Sequence, residues 1–174
     1  MKKPERFVEY LEGIREDRGA MAALRRTLAF GPEELGYTRA YRYVEPFVQH
    51  EEGWPRRAYY LVAGLFALHP DSEDVSLAEA LSRVWQQENR PPSLERRFLA
   101  LLDADADQLP HQMRRIIAYL RSKRQGLNYQ RLLEDLLDWF GRKRWIQLRW
   151  AREFYRSAEA VGESSEEAHV EVQP

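Results

Sequence analysis

The chain has 174 residues and a formal net charge of −1, with 27 lysine and arginine residues against 28 aspartate and glutamate residues. This length fits one domain or two small subdomains, and the absence of cysteine excludes disulfide bonds, thiolate nucleophiles and thiolate metal sites. No apolar run approaches the ~20 residues that a membrane-spanning helix needs, and the N-terminus begins an amphipathic pattern instead of a signal peptide. We therefore expect a cytoplasmic protein without a membrane partner.

Helical periodicity recurs along the whole chain, and no segment shows the alternation typical of a β-strand. This pattern predicts an all-α protein of about eight helices. The most apolar run, residues 59–68, is too short to cross a membrane and predicts a central core helix. Ser76 and Glu79 form a capping box that opens a later helix, and Ser93 and Asn128 are further N-cap candidates.

Composition divides the chain into three parts. Pro91 and Pro92 mark the boundary that we expect between an N-terminal helical bundle, residues 1–90, and a C-terminal basic helical bundle, residues 91–157. Residues 158–174 carry five glutamates and no lysine or arginine. That composition predicts an acidic, disordered tail.

Basic residues are concentrated in the C-terminal part. Residues 111–156 carry twelve lysines and arginines against four acidic residues, a net charge of +8 within a nearly neutral chain. A smaller basic group consists of Arg18, Arg25 and Arg26. Charge segregated in this way predicts a surface that meets a polyanion. The alternative is that these residues only solvate outward helical faces, but the scarcity of acidic residues four positions away favours the polyanion.

Spacing predicts that the arginines form rows on helices. If residues 142–156 form one helix, four of its arginines fall within an arc of about 80°. Aromatic residues in step with leucines are expected in the core, whereas Trp145 falls on the arginine side, where a ring can stack on a base. In the preceding helix, Arg114, Arg121 and Arg124 share a face. The four arginines of the first row are Arg142, Arg149, Arg152 and Arg156.

No arrangement typical of catalysis or metal binding stands out. The histidines lie at no metal-ligand spacing, and the sequence has no phosphate-binding glycine loop, nucleophile elbow or H-E-x-x-H motif. Asp103, Asp105 and Asp107 resemble the start of a calcium loop, but Gln108 occupies the position that requires glycine. We therefore expect no enzymatic activity, no cofactor and no metal site.

Four groups of short motifs occur in order between Arg18 and Tyr155. They are Arg18-Gly19 with Leu24-Arg25-Arg26, Arg97-Phe98 with Leu101-Leu102, Leu132-Leu133 with Asp135-Leu136 and Trp139, and Trp150-Ala151-Arg152-Glu153-Phe154-Tyr155. In this order they resemble the CasB family, the small subunit of the type I-E CRISPR Cascade complex. The resemblance implies an all-α fold of two packed helical bundles and a non-catalytic subunit that is present in two copies.

The resemblance also implies partners: the Cascade subunits CasA, CasC, CasD and CasE, a second copy of the same chain, crRNA, and target DNA with its displaced strand. In such assemblies the guide RNA reads sequence by pairing, while protein surfaces hold backbones and the displaced strand. Arginine rows without a base-reading motif independently predict phosphate contacts with little sequence preference. The residues that we predict to bind nucleic acid and stabilise the R-loop are Arg18, Arg25, Arg26, Arg114, Arg121, Lys123, Arg124, Arg142, Lys143, Arg144 and Arg149.

Two other functions are compatible with a basic helical surface. The surface can dock on acidic patches of neighbouring subunits, which makes the chain an all-α protein–protein scaffold with no direct nucleic-acid contact. A sequence-specific helix-turn-helix regulator is disfavoured, because no short helical pair with a polar, base-reading second helix stands out.

Overall fold

The computed structural model describes the backbone of residues 1–167 and the side chains of residues 1–156. Within this part the chain forms nine α-helices and two 3₁₀ segments, with no β-strand, so the predicted all-α class is confirmed. The α-helices are α1 (Lys3–Gly13), α2 (Arg18–Arg25), α3 (Tyr41–Val48), α4 (Gly53–Leu68), α5 (Leu77–Gln87), α6 (Pro92–Leu102), α7 (Leu109–Ser122), α8 (Tyr129–Leu137) and α9 (Trp145–Glu167), and the 3₁₀ segments are Arg26–Leu28 and Leu35–Ala40.

The central helix is α4, as its apolar run predicts. Every residue from Ala58 to Ala67 is buried, because α2, α3, α7 and α8 cover its sides. A helix that is apolar all round has to be surrounded by other elements. The basic residues therefore lie outside this buried stretch of α4.

α2 packs closely against α4 and runs antiparallel to it. Thr27 Oγ1 lies 3.3 Å from the carbonyl oxygen of Tyr60, and the Arg25 guanidinium lies 3.4 Å from that of Ala67. The approach depends on Gly64, since a Cβ atom there would lie 2.4 Å from Thr27 Oγ1. No side-chain carbon fits at that distance, so glycine lets the 3₁₀ segment that follows α2 lie against α4.

α7 also packs on α4 but runs parallel to it. Arg57, near the start of α4, donates to the carbonyl of Ala106, just before α7 begins, at 3.3 Å. At the other end, the ring Nε2 of the buried His69 donates to the carbonyl of Gln125 at 2.7 Å. α2 and α7 therefore flank α4 in opposite directions, and both carry cations.

Helices from both sides of the predicted boundary at residue 91 share one hydrophobic core. α8 packs against α1 and α4, and α9 packs most extensively against α5. The buried Ser82 of α5 donates to the carbonyl of Phe154 in α9 at 2.6 Å, and the rings of Phe66 and Tyr129 lie 5.3 Å apart. Packing thus couples the two predicted bundles through a common interior.

Two of the three predicted N-caps are confirmed. The side chains of Ser76 and Asn128 each accept the backbone N–H three residues ahead, at 3.1 and 2.9 Å. The cap predicted at Ser93 is wrong, because Pro91 is the N-cap and α6 begins at Pro92. Proline at the first helical position supplies a suitable φ and has no N–H to leave unsatisfied.

α9 continues into the segment whose composition predicts disorder. The backbone of residues 158–167 is helical, in keeping with its alanine and glutamate residues, which favour helices, and with the absence of proline from residues 158–173. The remainder of the predicted tail, residues 168–174, lies outside the described residues.

Candidate nucleic-acid interface

All eleven predicted cations are exposed on the surface. Among the described residues, only Lys123 and Arg149 of this set lie within salt-bridge distance of a carboxylate. The ammonium of Lys123 is 3.0 Å from Glu88, and this hydrogen bond raises the pKa of Lys123. The other nine cations make no ion pair with the described carboxylates and are exposed to solvent.

Arg149 is tied into the contact between α8 and α9. Its guanidinium pairs with Asp135, which is 6% exposed and also accepts the indole N–H of Trp150 at 2.7 Å. Arg149 also lies 3.4 Å from Glu153, which accepts the hydroxyl of Ser76 at 2.8 Å. Burial raises the pKa of Glu153, and Ser76 and Arg149 oppose that effect. Arg149 therefore has a structural partner that spacing along one helix does not reveal.

Replacing Arg149 with methionine is expected to lower the free energy of unfolding by about 1–3 kcal/mol, because the buried Asp135 then loses its cationic partner. Urea denaturation measures this change. The matched control is Arg142→Met, which removes the same charge from an unpaired residue and should leave stability within about 0.5 kcal/mol. Equal losses of stability in the two variants would contradict the structural role of Arg149.

The predicted arginine row beginning at Arg142 is wrong, because α9 starts only at Trp145. Residues 142–144 lie in the turn between α8 and α9, and Arg144 has a left-handed φ of 52°. The turn is required because Trp139 is fully buried and packs edge-on against Trp150, with ring centroids 4.9 Å apart. Burying both indoles brings the chain back on itself before α9 can begin.

The predicted face on α7 is partly wrong. Arg114 and Arg121 are seven residues apart within α7, but the helix ends at Ser122, and Arg124 follows it with a φ of 54°. The backbone N–H of Gln125 bonds the carbonyl of Leu120 at 3.0 Å and closes the helix end. Arg124 is therefore positioned by a turn.

Tertiary contacts bring the N-terminal cations to α7. Arg114 donates to the carbonyl of Leu28 at 3.1 Å. Leu28 ends the 3₁₀ segment that begins at Arg26 and follows Arg25. A cation of α7 thus contacts the segment that follows α2, more than eighty positions earlier in the sequence.

The turn at residues 142–144 lies at the opposite end of α4 from Arg25. The indole N–H of Trp54, at the start of α4, bonds the carbonyl of Leu136 at 2.6 Å, whereas Arg25 reaches Ala67 near the end of α4. Thirteen residues of helix separate these two contacts, a distance of about 20 Å. The basic group at residues 142–144 and the basic group that contains Arg25 therefore lie near opposite ends of α4.

Arg97 on α6 and Arg115 on α7 are exposed cations outside the predicted set. With His111 they line a small pocket of about 160 Å³ between α6 and α7. Arg144 lies 3.5 Å from the carbonyl oxygen of Leu102. Leu102 follows Arg97 by five residues, which is about 7.5 Å along the axis of α6. The chain neighbour of Arg115 on α7 is Arg114, which reaches Leu28 in the 3₁₀ segment that begins at Arg26. We name as the basic path the five exposed arginines that these contacts and chain neighbours link: Arg144, Arg97, Arg115, Arg114 and Arg26.

A second basic groove opens between α2 and α3. Arg26 lies on one wall, Arg39 and Arg42 line the other, and the floor is formed by the small residues Gly19, Ala22 and Ala23. The sequence analysis missed Arg39 and Arg42, which lie three residues apart in a tyrosine-rich stretch. It also missed Arg97, on a helix with no predicted cation, and Arg115, the neighbour of the predicted Arg114. The spacing of Arg39 and Arg42 was the one available signal, because residues three apart lie on neighbouring parts of a helical surface.

Comparison with known proteins shows the family of this chain. A family model described as CRISPR-associated protein Cse2 matches residues 20–155. A CRISPR-associated protein Cse2 from Thermus thermophilus is 41% identical over 181 residues, with 99% of each chain covered. The chain belongs to the CRISPR-associated Cse2 family.

Solved structures agree with the Cse2 assignment. A Cse2-family crystal structure from Thermus thermophilus is 42% identical, with a TM-score of 0.77 over 89% of this chain and 99% of its own. The crystal structure of M. ruber CasB is 30% identical, with a TM-score of 0.77 and 99% of each chain covered. A chain from a CRISPR RNA-guided surveillance complex has the same fold, with a TM-score of 0.84 at 24% identity and coverage of 94% and 97%. The predicted resemblance to the CasB family is confirmed.

The Cse2 match contains nearly all of the candidate interface. Of the eleven predicted cations only Arg18 lies outside residues 20–155, and the whole basic path lies inside. Within the described residues, no helix is both long and apolar enough to cross a bilayer. The same part of the chain has no group of three histidine, aspartate or glutamate side chains placed to hold a metal ion.

Proposed function

We propose that this Cse2-family chain is a non-catalytic subunit of a crRNA-guided Cascade surveillance complex. In it the chain holds the backbones of guide RNA, target DNA and the displaced strand, and it stabilises the R-loop in antiviral defence. Its partners are then CasA, CasC, CasD, CasE and a second copy of itself. Family membership supports the assembly, since a chain with this fold occurs in a CRISPR RNA-guided surveillance complex.

The basic path is the observation that carries the proposed nucleic-acid contact. Its five arginines are exposed, and none has a described carboxylate within salt-bridge distance. Arginine presents a planar fork of donors that matches the oxygens of a phosphate. Contacts of this kind hold a backbone without reading its sequence, which suits a subunit in a complex whose guide RNA supplies the specificity.

Binding of the purified protein to single-stranded oligonucleotides is expected to weaken steeply with salt. If about five phosphates are neutralised, the logarithm of affinity should fall against the logarithm of salt concentration with a slope of about −3 to −4. Fluorescence anisotropy over a series of salt concentrations measures the slope. Oligonucleotides of unrelated sequence serve as the control and should bind within a few-fold of one another.

A slope near zero would refute the phosphate contacts, and a large preference for one sequence would indicate a regulator instead. A pure protein scaffold makes a different prediction for the assembled complex. Reversing the charge of the basic path would then expel the subunit, and crosslinking would recover neighbouring proteins but no nucleic acid.

A further inference from the structure

Trp145, the first residue of α9, keeps 62% of its surface exposed. The other tryptophans are better protected: Trp139 and Trp150 are fully buried, Trp85 is buried, and Trp54 is half-buried. Burial of an indole is strongly favourable, so a ring left in water gives up stabilisation that the fold obtains elsewhere. The packing of the core does not explain the position of Trp145.

The turn that presents Trp145 is held by buried groups on both sides. The carbonyl of the buried Trp139 accepts the side-chain amide of Gln147, which is itself buried, at 2.7 Å. Within the turn, the backbone N–H of Arg144 bonds the carbonyl of Gly141 at 3.1 Å. The backbone on either side of the ring is therefore fixed, and little conformational entropy is left to lose when a ligand binds.

The residues that precede Trp145 in the chain are three consecutive cations. The ammonium of Lys143 lies 5.8 Å from the ring centroid of Trp145, and Arg142 and Arg144 are exposed beside it in the turn. None of the three makes an ion pair with a described carboxylate. Leu148, 48% exposed and three residues further on, extends the apolar surface on the same side of α9.

We propose that Trp145 stacks on an unpaired base of a single strand whose phosphates are held by Arg142, Lys143 and Arg144. Every base has a π face, so this contact tolerates any sequence. Bases inside a duplex are covered by their neighbours, so only a single strand or a flipped-out base can use the ring. The proposal rests on the proposed function and specifies it: this end of the basic path binds single-stranded nucleic acid.

The test compares two ligands that share phosphates and differ in bases, a labelled oligothymidylate and an abasic oligonucleotide of the same length. Replacing Trp145 with alanine should weaken binding of the oligothymidylate about 5- to 100-fold, while Trp145→Phe should keep most of the affinity. Neither variant should change binding of the abasic ligand. Leu148→Ala is the matched control, because it shortens an exposed apolar side chain beside the ring without removing an aromatic surface.

Intrinsic fluorescence gives an independent readout. The oligothymidylate should quench the emission of Trp145 in the wild-type protein, and this quenching should be lost in Trp145→Phe. Salt-dependent binding of both ligands that is unchanged in Trp145→Ala would overturn the stacking contact and leave the phosphate contacts standing. Absence of salt-dependent binding to either ligand would overturn the proposed function as well. Loss of assembly with intact oligonucleotide binding would show that the ring docks on a protein.

Discussion

Replacing Phe154 with alanine is expected to lower the free energy of unfolding by about 3–5 kcal/mol. Phe154 is fully buried and stacks on Phe98 of α6, with ring centroids 4.3 Å apart. It also lies 4.8 Å from the ring of Trp85 in α5. Truncation removes the transfer free energy of the ring and leaves a cavity between three helices that are unable to collapse fully.

Urea denaturation followed by circular dichroism measures the loss at Phe154. The matched control is Leu99→Ala on α6, because Leu99 is the direct neighbour of Phe98 but is 42% exposed, and it should cost less than about 1.5 kcal/mol. Similar losses in the two variants would contradict the packing of α9 against α5 and α6. Since α9 carries Trp145, a destabilised α9 is also expected to weaken presentation of that ring.

Reversing charge along the basic path should have the largest effect on nucleic-acid binding. The variant carrying Arg97→Glu, Arg115→Glu and Arg144→Glu is expected to bind single-stranded oligonucleotides on the order of 100-fold more weakly near physiological salt. Three phosphate contacts are lost, and three carboxylates then repel the strand. The slope of log affinity against log salt concentration should also become less steep by about 2, since each phosphate contact on a single strand contributes about 0.7 to that slope.

The control for this variant changes net charge by the same amount elsewhere. Lys2, Arg6 and Arg131 are exposed cations just before α1, on α1 and on α8, away from the path, and their replacement with glutamate should weaken binding only a few-fold. Anisotropy titrations at several salt concentrations compare the two variants. If both lose affinity equally, overall charge and not the path controls binding, and the proposed interface is wrong.

Local patterns predicted most of the helices. The apolar run at residues 59–68 indicated α4, and the caps at Ser76 and Asn128 mark true helix starts because a cap is made between residues three positions apart. The exposure of Trp145 was also predicted, although the helix assumed for that argument began three residues too early. Apolar periodicity and N-caps depend on residues that are close together in the chain, so they can be recognised from the sequence alone.

The site was predicted less completely than the fold. Arg149 was chosen for its spacing, but its partner Asp135 lies on another helix, and only tertiary packing brings the two together. No local signal singles out Arg97 and Arg115, because α6 and α7 must lie side by side before these two residues line one pocket. Which residues of different helices form ion pairs or lie side by side depends on how the helix faces pack. The periodicity of one helix does not identify the helix that it packs against.

The amino-acid sequence by itself determined that this protein is helical, that its charge is segregated and that its motifs resemble the CasB family. Those properties follow from local periodicity, from composition and from the order of short motifs. Only the tertiary structure decided which cations are paired, which lie in turns and which line pockets and grooves between helices. The physical reason is that an ion pair or a surface path depends on distances of a few ångströms between residues far apart in the chain, and folding alone sets those distances.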